Sequence, residues 1–436
     1  MKQTYLLLAL LFSFPSFSQT GPGGVGNDNG RSPLCLWLDA ATVDGETGDT
    51  VTVWNDRSGR GHHFTGGKGA VVTRAAVNGH DALAFDGRHH YFDHPFTAAL
   101  NPATFTMFFV SKAANTGNYQ ALISSRDDTG ESRTGYMVYA KPHSNDWSFW
   151  TAKATTEWLR LTGESTAERW SGQVIHYQGG TDGKELQVAC APTIHSSSPY
   201  LPNVRRPTRI GAGLNEGSQS GFHFRGEIAE VIIFGTSLNR SQRLIVSNYL
   251  AAKYDYALPK ASNSYRMDDP LEGDYDHEVA GIGRFNTFDL HPHARGGVVR
   301  MRSPSDLDDD EFLFWGHDGG SITATQTADV PAGASARVQR VWRVSETNAA
   351  GEVPVDVGSV IVSFQLSGLG EISTNDLCLL IDSNNDGFFD DETPISGAHN
   401  VRGTTFMFRD VTALRHGSRF TVGLLNSQGA LATRDR

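Results

Sequence analysis

The feature that most constrains this chain is a recurrent short run of Val, Ile, Phe, Tyr and Trp, broken every few residues by Gly, Asn or Asp. VTVW (51–54), ALAFDG (82–87), FTMFFVSK (105–112), YQALISS (119–125), GYMVYAK (135–141) and WSFWTA (147–152) follow one another at short intervals. WSGQVIHYQG (170–179), KELQVACA (184–191), TRIGAG (208–213) and GEIAEVIIFG (226–235) continue the series. Runs of this length, rich in β-branched and aromatic residues and punctuated by turn formers, predict strands of a sandwich or barrel. No helices alternate with them, which argues against a parallel α/β sheet. The 47 glycines fit a protein made of strands and tight turns.

One segment departs from this pattern. RSQRLIVSNYLAAKY (240–254) places Leu244, Ile245, Tyr249 and Leu250 at helical spacing. Asn239 with Gln242 three residues on is a capping-box pair. The segment therefore predicts a helix that closes the first domain, its apolar stripe packed on the sandwich edge. Residues 258–272, polar and Pro-containing, read as a linker. A second series follows: EVAGIGR (278–284), GGVVRMRS (296–303), EFLFWGHD (311–318), ARVQRVWRVS (336–345), VGSVIVSFQL (357–366), LCLLIDS (377–383), TTFMFRDV (404–411) and SRFTVGLLN (418–426). The expected fold is all-β: a sandwich over 34–257, then a second sandwich, immunoglobulin-like in its strand count, over 273–427.

The two ends read differently from the middle. Lys2, the apolar run Tyr5 to Phe14 and the small residues Ser16 and Ser18 have the layout of a cleavable signal peptide over residues 1–18. The run is too short for a membrane span, and no other long apolar run occurs. Export is thus expected, to the extracellular space, the cell surface or the periplasm. Residues 19–33, Gly- and Asn-rich, read as a flexible leader, and 428–436 as a frayed tail. The net charge of −11 disfavours nucleic acid and anionic lipid as partners. The cysteines, Cys35, Cys190 and Cys378, are odd in number and far apart, as expected of buried free thiols. A Cys35–Cys190 bridge stays open in an oxidising compartment.

Several segments taken together resemble a known architecture. GPGGVG, LCLWLDA, VTVWNDRSGRGHH, LAFDG and TRIGAG…FRGEIAEVIIFGTSLNRSQRLIVSNYLAAKYDY are similar to the laminin-G-like/concanavalin A-like lectin domains of secreted gram-negative bacterial proteins. Trp54, Asp56, Ser58, Gly59, Gly61, Glu227, Ile228 and Glu230 match that pattern, over roughly residues 31–257. The resemblance implies a jelly-roll sandwich of lectin type. DYDHEVAGIGR (274–284) and the strands after it resemble a companion domain of unknown function, which implies a common domain pairing and no activity. The type IX sorting tail that often closes such proteins is not recognisable here.

The sharpest local motif is Asp382-Ser383-Asn384-Asn385-Asp386-Gly387-Phe388-Phe389-Asp390-Asp391-Glu392. It has the D-x-N-x-D-G opening of a calcium loop, with oxygen donors at alternate positions and Gly at the sharp turn. Asp382, Asn384, Asp386 and Asp390 would supply side-chain oxygens, Phe388 its carbonyl, and Glu392 would close the shell. The twelfth position is Thr393, so the loop is not a complete EF-hand, and an acidic Asx-rich turn is the competing reading. Calcium is the one cofactor this sequence suggests. His62-His63, His89-His90 with His94, and His291 with His293 lack the partners of a zinc site and read as loop histidines.

For sugar binding, Trp147, Trp150 and Trp158 are the candidate stacking rings. Trp147 and Phe149 share one face of their strand, Ser148 and Trp150 the other. No catalytic residues are assigned. The Glu-x-Asp-x-x-Glu strand of laminarinase-type enzymes is absent. Glu227 and Glu230, three apart, should fall on opposite faces of a regular strand. Nor is there a Gly-x-Ser-x-Gly elbow or a Walker loop. The expected function is an exported, non-catalytic binding or adhesion protein that recognises carbohydrate or a surface protein. The alternative is a glycoside hydrolase or lyase whose site is assembled from distant strands.

Overall fold

The computed structural model describes residues 19–166, 168–216 and 220–425. The expected signal peptide, residues 1–18, and the expected frayed tail, residues 428–436, lie outside the described residues. The fold is all-β: the described residues form two antiparallel sandwiches and one α-helix, α1 (Arg240–Tyr254).

The first sandwich has an inner and an outer sheet. The inner sheet runs in the order Ile194–Ser196, Lys184–Val188, Ser171–Tyr177, Phe105–Ala113, Arg225–Phe234, His80–Asp86 and Val71–Val77, and Leu34–Asp39 also pairs with Arg225–Phe234. The outer sheet runs Leu159–Ser165, Asp146–Thr155, Arg133–Ala140, Gln120–Asp128, Thr208–Ile210, Tyr91–His94, Phe64–Lys68 and Val53–Trp54. Alternate residues such as Met107, Phe109, Val138, Phe149 and Val231 fill the space between the sheets.

The second sandwich repeats the plan. Its inner sheet contains His277–Arg284, Glu311–His317, Trp342–Thr347, Arg419–Leu425 and Leu377–Asp382. Its outer sheet runs His293–Gly296, Val299–Arg302, Val360–Gln365, Thr405–Val411 and His399–Arg402. The run ARVQRVWRVS is not one strand. It forms Ala334–Val338 and Trp342–Thr347, interrupted at 339–341, and both pieces pair with Arg419–Leu425.

The helix forms where its cap predicts. Asn239 Oδ1 accepts from Gln242 N at 2.9 Å, and Gln242 Oε1 accepts from Asn239 N at 3.2 Å. It lies against the face of the inner sheet, however, not at the sandwich edge. Leu244, Ile245, Val246 and Leu250 share one apolar cluster with Phe108, Val110 and Ile232 on one side and Val279, Phe312 and Phe314 on the other. The layers are therefore outer sheet, inner sheet, helix, inner sheet, outer sheet. A helix between two sheets needs apolar groups around most of its circumference, which is why its sequence stripe is broad.

Two segments read as loose are packed. Gly21 to Val25 of the leader are buried. The turn Pro22–Gly24 wedges between α1 and the second sandwich: a Cβ on Gly23 (φ 65°) would stand 3.1 Å from Ile245, and one on Gly24 (φ 81°) 2.5 Å from Ala294. Only glycine fits that close an approach at positive φ. In the segment 258–272, Tyr265 N donates to Asn248 Oδ1 on α1 at 2.9 Å. Ser264 Oγ donates to the carbonyl of Ala349 in the second sandwich at 2.5 Å. The segment is thus stapled to the helix and to the second sandwich.

Candidate functional site

The residues that made the sequence recognisable are occupied with holding the fold. Asp56 Oδ1 accepts from Trp37 N (3.0 Å) and Ser58 N (2.8 Å), and its Oδ2 from Ser58 Oγ (2.8 Å) and His62 N (2.9 Å). Its carboxylate is the hub of the NDRSGRG turn. Glu230, fully buried, accepts from Trp37 Nε1 (2.7 Å), Lys253 Nζ (2.8 Å), Tyr254 Oη (2.7 Å) and Tyr249 Oη (3.1 Å). Lys253 also donates to Asp39 Oδ2 at 2.8 Å, and Arg57 reaches the same oxygen at 2.6 Å. Burial works against charge on Lys253, but Asp39 and Glu230 outweigh it and hold its pKa above the ordinary lysine range. This paired network fixes α1 to the inner sheet.

Glu227 and Glu230 lie on the same face, contrary to their spacing. A bulge falls between Ile228 and Glu230. Ile228 and Val231 both enter the space between the sheets, while Ala229 and Ile232 both face the helix. The extra residue cancels one alternation. The two carboxylates are nevertheless separately neutralised, Glu227 by Lys112 and Glu230 by Lys253.

A cleft of about 590 Å³ opens where the leader and both sandwiches meet, lined in part by Trp37, Arg57, His80, Asp276, His277 and Glu278. Two of its acids, Glu278 and Asp276, are engaged too. Glu278 faces His317 (3.0 Å) and Arg340 (3.3 Å), and Asp276 accepts from Asn78 (2.9 Å) and lies 2.5 Å from His277 Nδ1. Asp276 is the main reason the His277 pKa sits above the usual histidine range.

The outer face of the first sandwich is built differently. Trp147 does not reach it. That ring is fully buried between the sheets, its Nε1 donating to Thr166 Oγ1 at 3.1 Å, so it cannot stack on a ligand. Trp150, one residue off in parity, points outward but is 8% exposed. Arg160 covers it at 4.0 Å, and Tyr139 and Tyr119 pack edge-on at 5.1 and 5.5 Å. It serves as the floor of an aromatic cluster. Trp158 is partly exposed at the rim, donating to Asp128 Oδ2 at 3.2 Å.

The rings that extend this cluster toward solvent are Tyr119 and Phe222, which the sequence reading missed. Phe222 is 39% exposed and held at φ 52°, with Tyr139 5.7 Å away and Tyr119 6.5 Å away. Both line a groove of about 750 Å³ that also holds Asp86, His89, Asn118 and Arg225. Burial alone would raise the Asp86 carboxyl, but the backbone N–H groups of His89, Arg88 and His90, all donating to Oδ1, hold it well below the usual carboxylate range. It stays an acceptor at any ordinary pH. The available signal was Tyr119 and Phe222 standing in Gly/Asn turns, where no partner strand covers a ring.

The loop 382–392 closes on itself. Asp382 Oδ2 accepts from Gly387 N (3.0 Å) and Arg419 Nη1 (3.1 Å). Asn384 Oδ1 and Asp386 Oδ1 each accept from a backbone N–H two residues on (3.0 and 2.9 Å), as Asx turns do. Glu392 is turned to Ser383 N and Oγ (2.6 and 2.9 Å), while Phe388 and Asp390 are exposed. Among the described residues, no three His, Cys, Asp or Glu side chains are grouped as a metal site requires. Several of the paired histidines anchor turns: His62 to the carbonyl of Cys35 (2.7 Å), His63 to Asp56 N (3.1 Å), His291 to the carbonyl of Gly24 (3.1 Å). All three cysteines are free. Cys35 and Cys378 are buried, and Cys190, contrary to expectation, is exposed.

Residues 300–418 match a domain of unknown function (DUF8202). No curated protein matches the chain. Among solved structures, the carbohydrate-binding module CBM40 of Ruminococcus gnavus IT-sialidase, bound to sialyllactose, aligns at 10% identity and a TM-score of 0.31, covering 41% of this chain and 99% of that one. Trypanosoma rangeli sialidase with sialic acid aligns at 15% identity and 0.35, covering 54% and 36%. A structure of botulinum neurotoxin type C, whose cell entry depends on two ganglioside molecules, aligns at 11% and 0.36, covering 91% and 94%. No helix among the described residues is long and apolar enough to cross a membrane.

Proposed function

We propose that this is an exported, non-catalytic, lectin-like protein that binds carbohydrate in the groove on the outer face of its first sandwich. The observation that carries this reading is the exposed Phe222 ring beside Tyr119, at the wall of a groove that also presents Asp86, Asn118, His89 and Arg225. An apolar sugar face stacks on such rings, while its hydroxyls donate to a fixed carboxylate and accept from Asn and Arg. The groove volume suits a mono- or disaccharide-sized ligand. A binding role agrees with the pairing of Glu227 with Lys112 and of Glu230 with Lys253, which leaves neither carboxylate free for acid–base work.

A glycan array probed with wild type and Phe222→Ala tests this directly. Wild type should bind a defined subset of glycans, and the variant should bind them roughly five- to tenfold more weakly while keeping its melting temperature. A hit pattern identical in both proteins would overturn the assignment of the groove. Sustained release of reducing ends from any hit would overturn the non-catalytic part.

A further inference from the structure

On the outer sheet of the second sandwich, Ala294, Val299, Met301, Val362 and Phe364 point into the core. Their alternates point out. Pairing then sets Arg295 directly opposite Arg300, and His293 opposite Arg302. Like charges facing each other across a strand pair destabilise it, and this occurs in a chain with a net charge of −11. Among the described residues, no acid is within ion-pair distance of them. Arg295 donates to the carbonyl of Gly297 (2.7 Å) and to Gln365, and Arg302 reaches only Met407 Sδ (3.9 Å). Arg300 Nε and one Nη are enclosed without any acceptor. Burial first, then Arg302 and Arg295, lower the pKa of Arg300, and burial with Arg300 and Arg302 lowers that of His293. A cavity of about 200 Å³ is bounded by Arg295, Arg300, Arg302, Ser363, Gln365 and Thr405.

We infer that this cavity is a second binding site, which takes the oxyanion group, a sulfate ester or a uronate carboxylate, of an acidic saccharide. Converging guanidinium forks match planar or tetrahedral oxyanions, and Ser363, Thr405 and Gln365 supply neutral donors around them. A single cavity of about 200 Å³ also fits an isolated anionic group better than the continuous phosphate track of a nucleic acid, which needs a row of exposed cations. The saccharide as carrier rests on the glycan reading above; the oxyanion site does not.

Affinity electrophoresis of the full chain in gels containing dextran sulfate, polygalacturonate or neutral dextran tests the inference, with calorimetry against sodium sulfate and single-stranded DNA. Retardation by at least one acidic polymer and none by neutral dextran is expected. Arg300→Gln with Arg302→Gln should weaken it at least about tenfold, and should leave the melting temperature unchanged or raise it, because a like-charge pair is relieved. Equal retardation of wild type and double variant would overturn the site. Sodium sulfate binding as tightly as a sulfated polymer repeat would overturn the saccharide carrier, as would tighter binding of DNA. Phe222→Ala reports separately on the first sandwich: if it loses neutral glycans and keeps the acidic polymers, the two sites are independent. Were it to lose both, the assignment of a separate oxyanion site would fail.

Discussion

On the inner sheet of the first sandwich, Phe108, Val110 and Ile232 point outward into α1 and the second sandwich, and the polar groups among them, Glu230, Lys253 and Asp39, are fully paired. On the outer sheet, Met137, Tyr139 and Trp150 also point outward, and individual side chains such as Tyr119, Phe222, Trp158, Arg126 and Arg160 gather over them instead of a second layer. Both faces are rich in large side chains. What separates them is closure. One is sealed by a helix and a neighbouring sheet, so its residues determine stability. The other stays partly open, so its residues are available to a ligand.

Substitutions that exchange the two behaviours are the strongest tests. Glu230→Ala should cost about 3–5 kcal/mol, because Trp37, Tyr254 and Lys253 lose a buried acceptor together. Trp147→Ala should cost a similar amount, about 3–5 kcal/mol, through the cavity it leaves. Chemical denaturation measures both. A loss under about 1 kcal/mol for either would mean that the covered face and the core beneath it are looser than described.

The contrast extends to a second buried carboxyl. Glu230 has Lys253 beside it, whereas Glu346 in the second sandwich, equally buried, accepts from Val357 N (2.9 Å) and leaves Oε2 without a partner. Burial pushes the Glu346 carboxyl up to about 7. An acid with a raised folded pKa holds its proton in the folded state after the unfolded chain has lost it. Stability should therefore fall as pH rises from about 4.5 to about 7, by up to about 3 kcal/mol. Glu346→Gln should flatten that segment of the stability–pH curve. An unchanged slope would remove Glu346 as its source.

On the open face, Phe222→Ala should weaken glycan binding roughly five- to tenfold, about 1 kcal/mol or slightly more, with stability shifted by less than about 0.5 kcal/mol. The smallest effect is expected at the acidic loop. Arg419 occupies Asp382, so calcium should bind wild type no tighter than on the order of 10⁻³ M. Arg419→Gln, which frees that carboxylate, should strengthen any calcium heat seen in calorimetry. A variant that binds more weakly than wild type would show that the guanidinium does not compete with the ion.

Most strand positions, α1 and its Asn239–Gln242 cap were legible in the sequence because each depends on nearby residues, whereas Phe64–Lys68, Val71–Val77, Tyr91–His94 and Leu159–Ser165 were not picked out. The parity of Trp147 and Trp150 was legible too. Which parity faces the core was not, and that choice buried Trp147 and made Trp150 the floor of the aromatic cluster. The bulge before Glu230 was equally hidden. It moved one carboxylate across the strand, and only pairing with Phe105–Ala113 reveals it. The groove itself joins Asp86, Tyr119 and Phe222 from three separate turns, and the basic cavity joins Arg295, Arg300, Ser363 and Thr405 from four strands of another sheet. The sequence by itself determined an all-β chain with one capped helix, because strand and helix periods follow from local backbone geometry. The tertiary structure alone decided which faces are sealed, that the Gly-rich leader is a wedge, and where arginines meet without acids, because these depend on contacts between residues far apart in the chain.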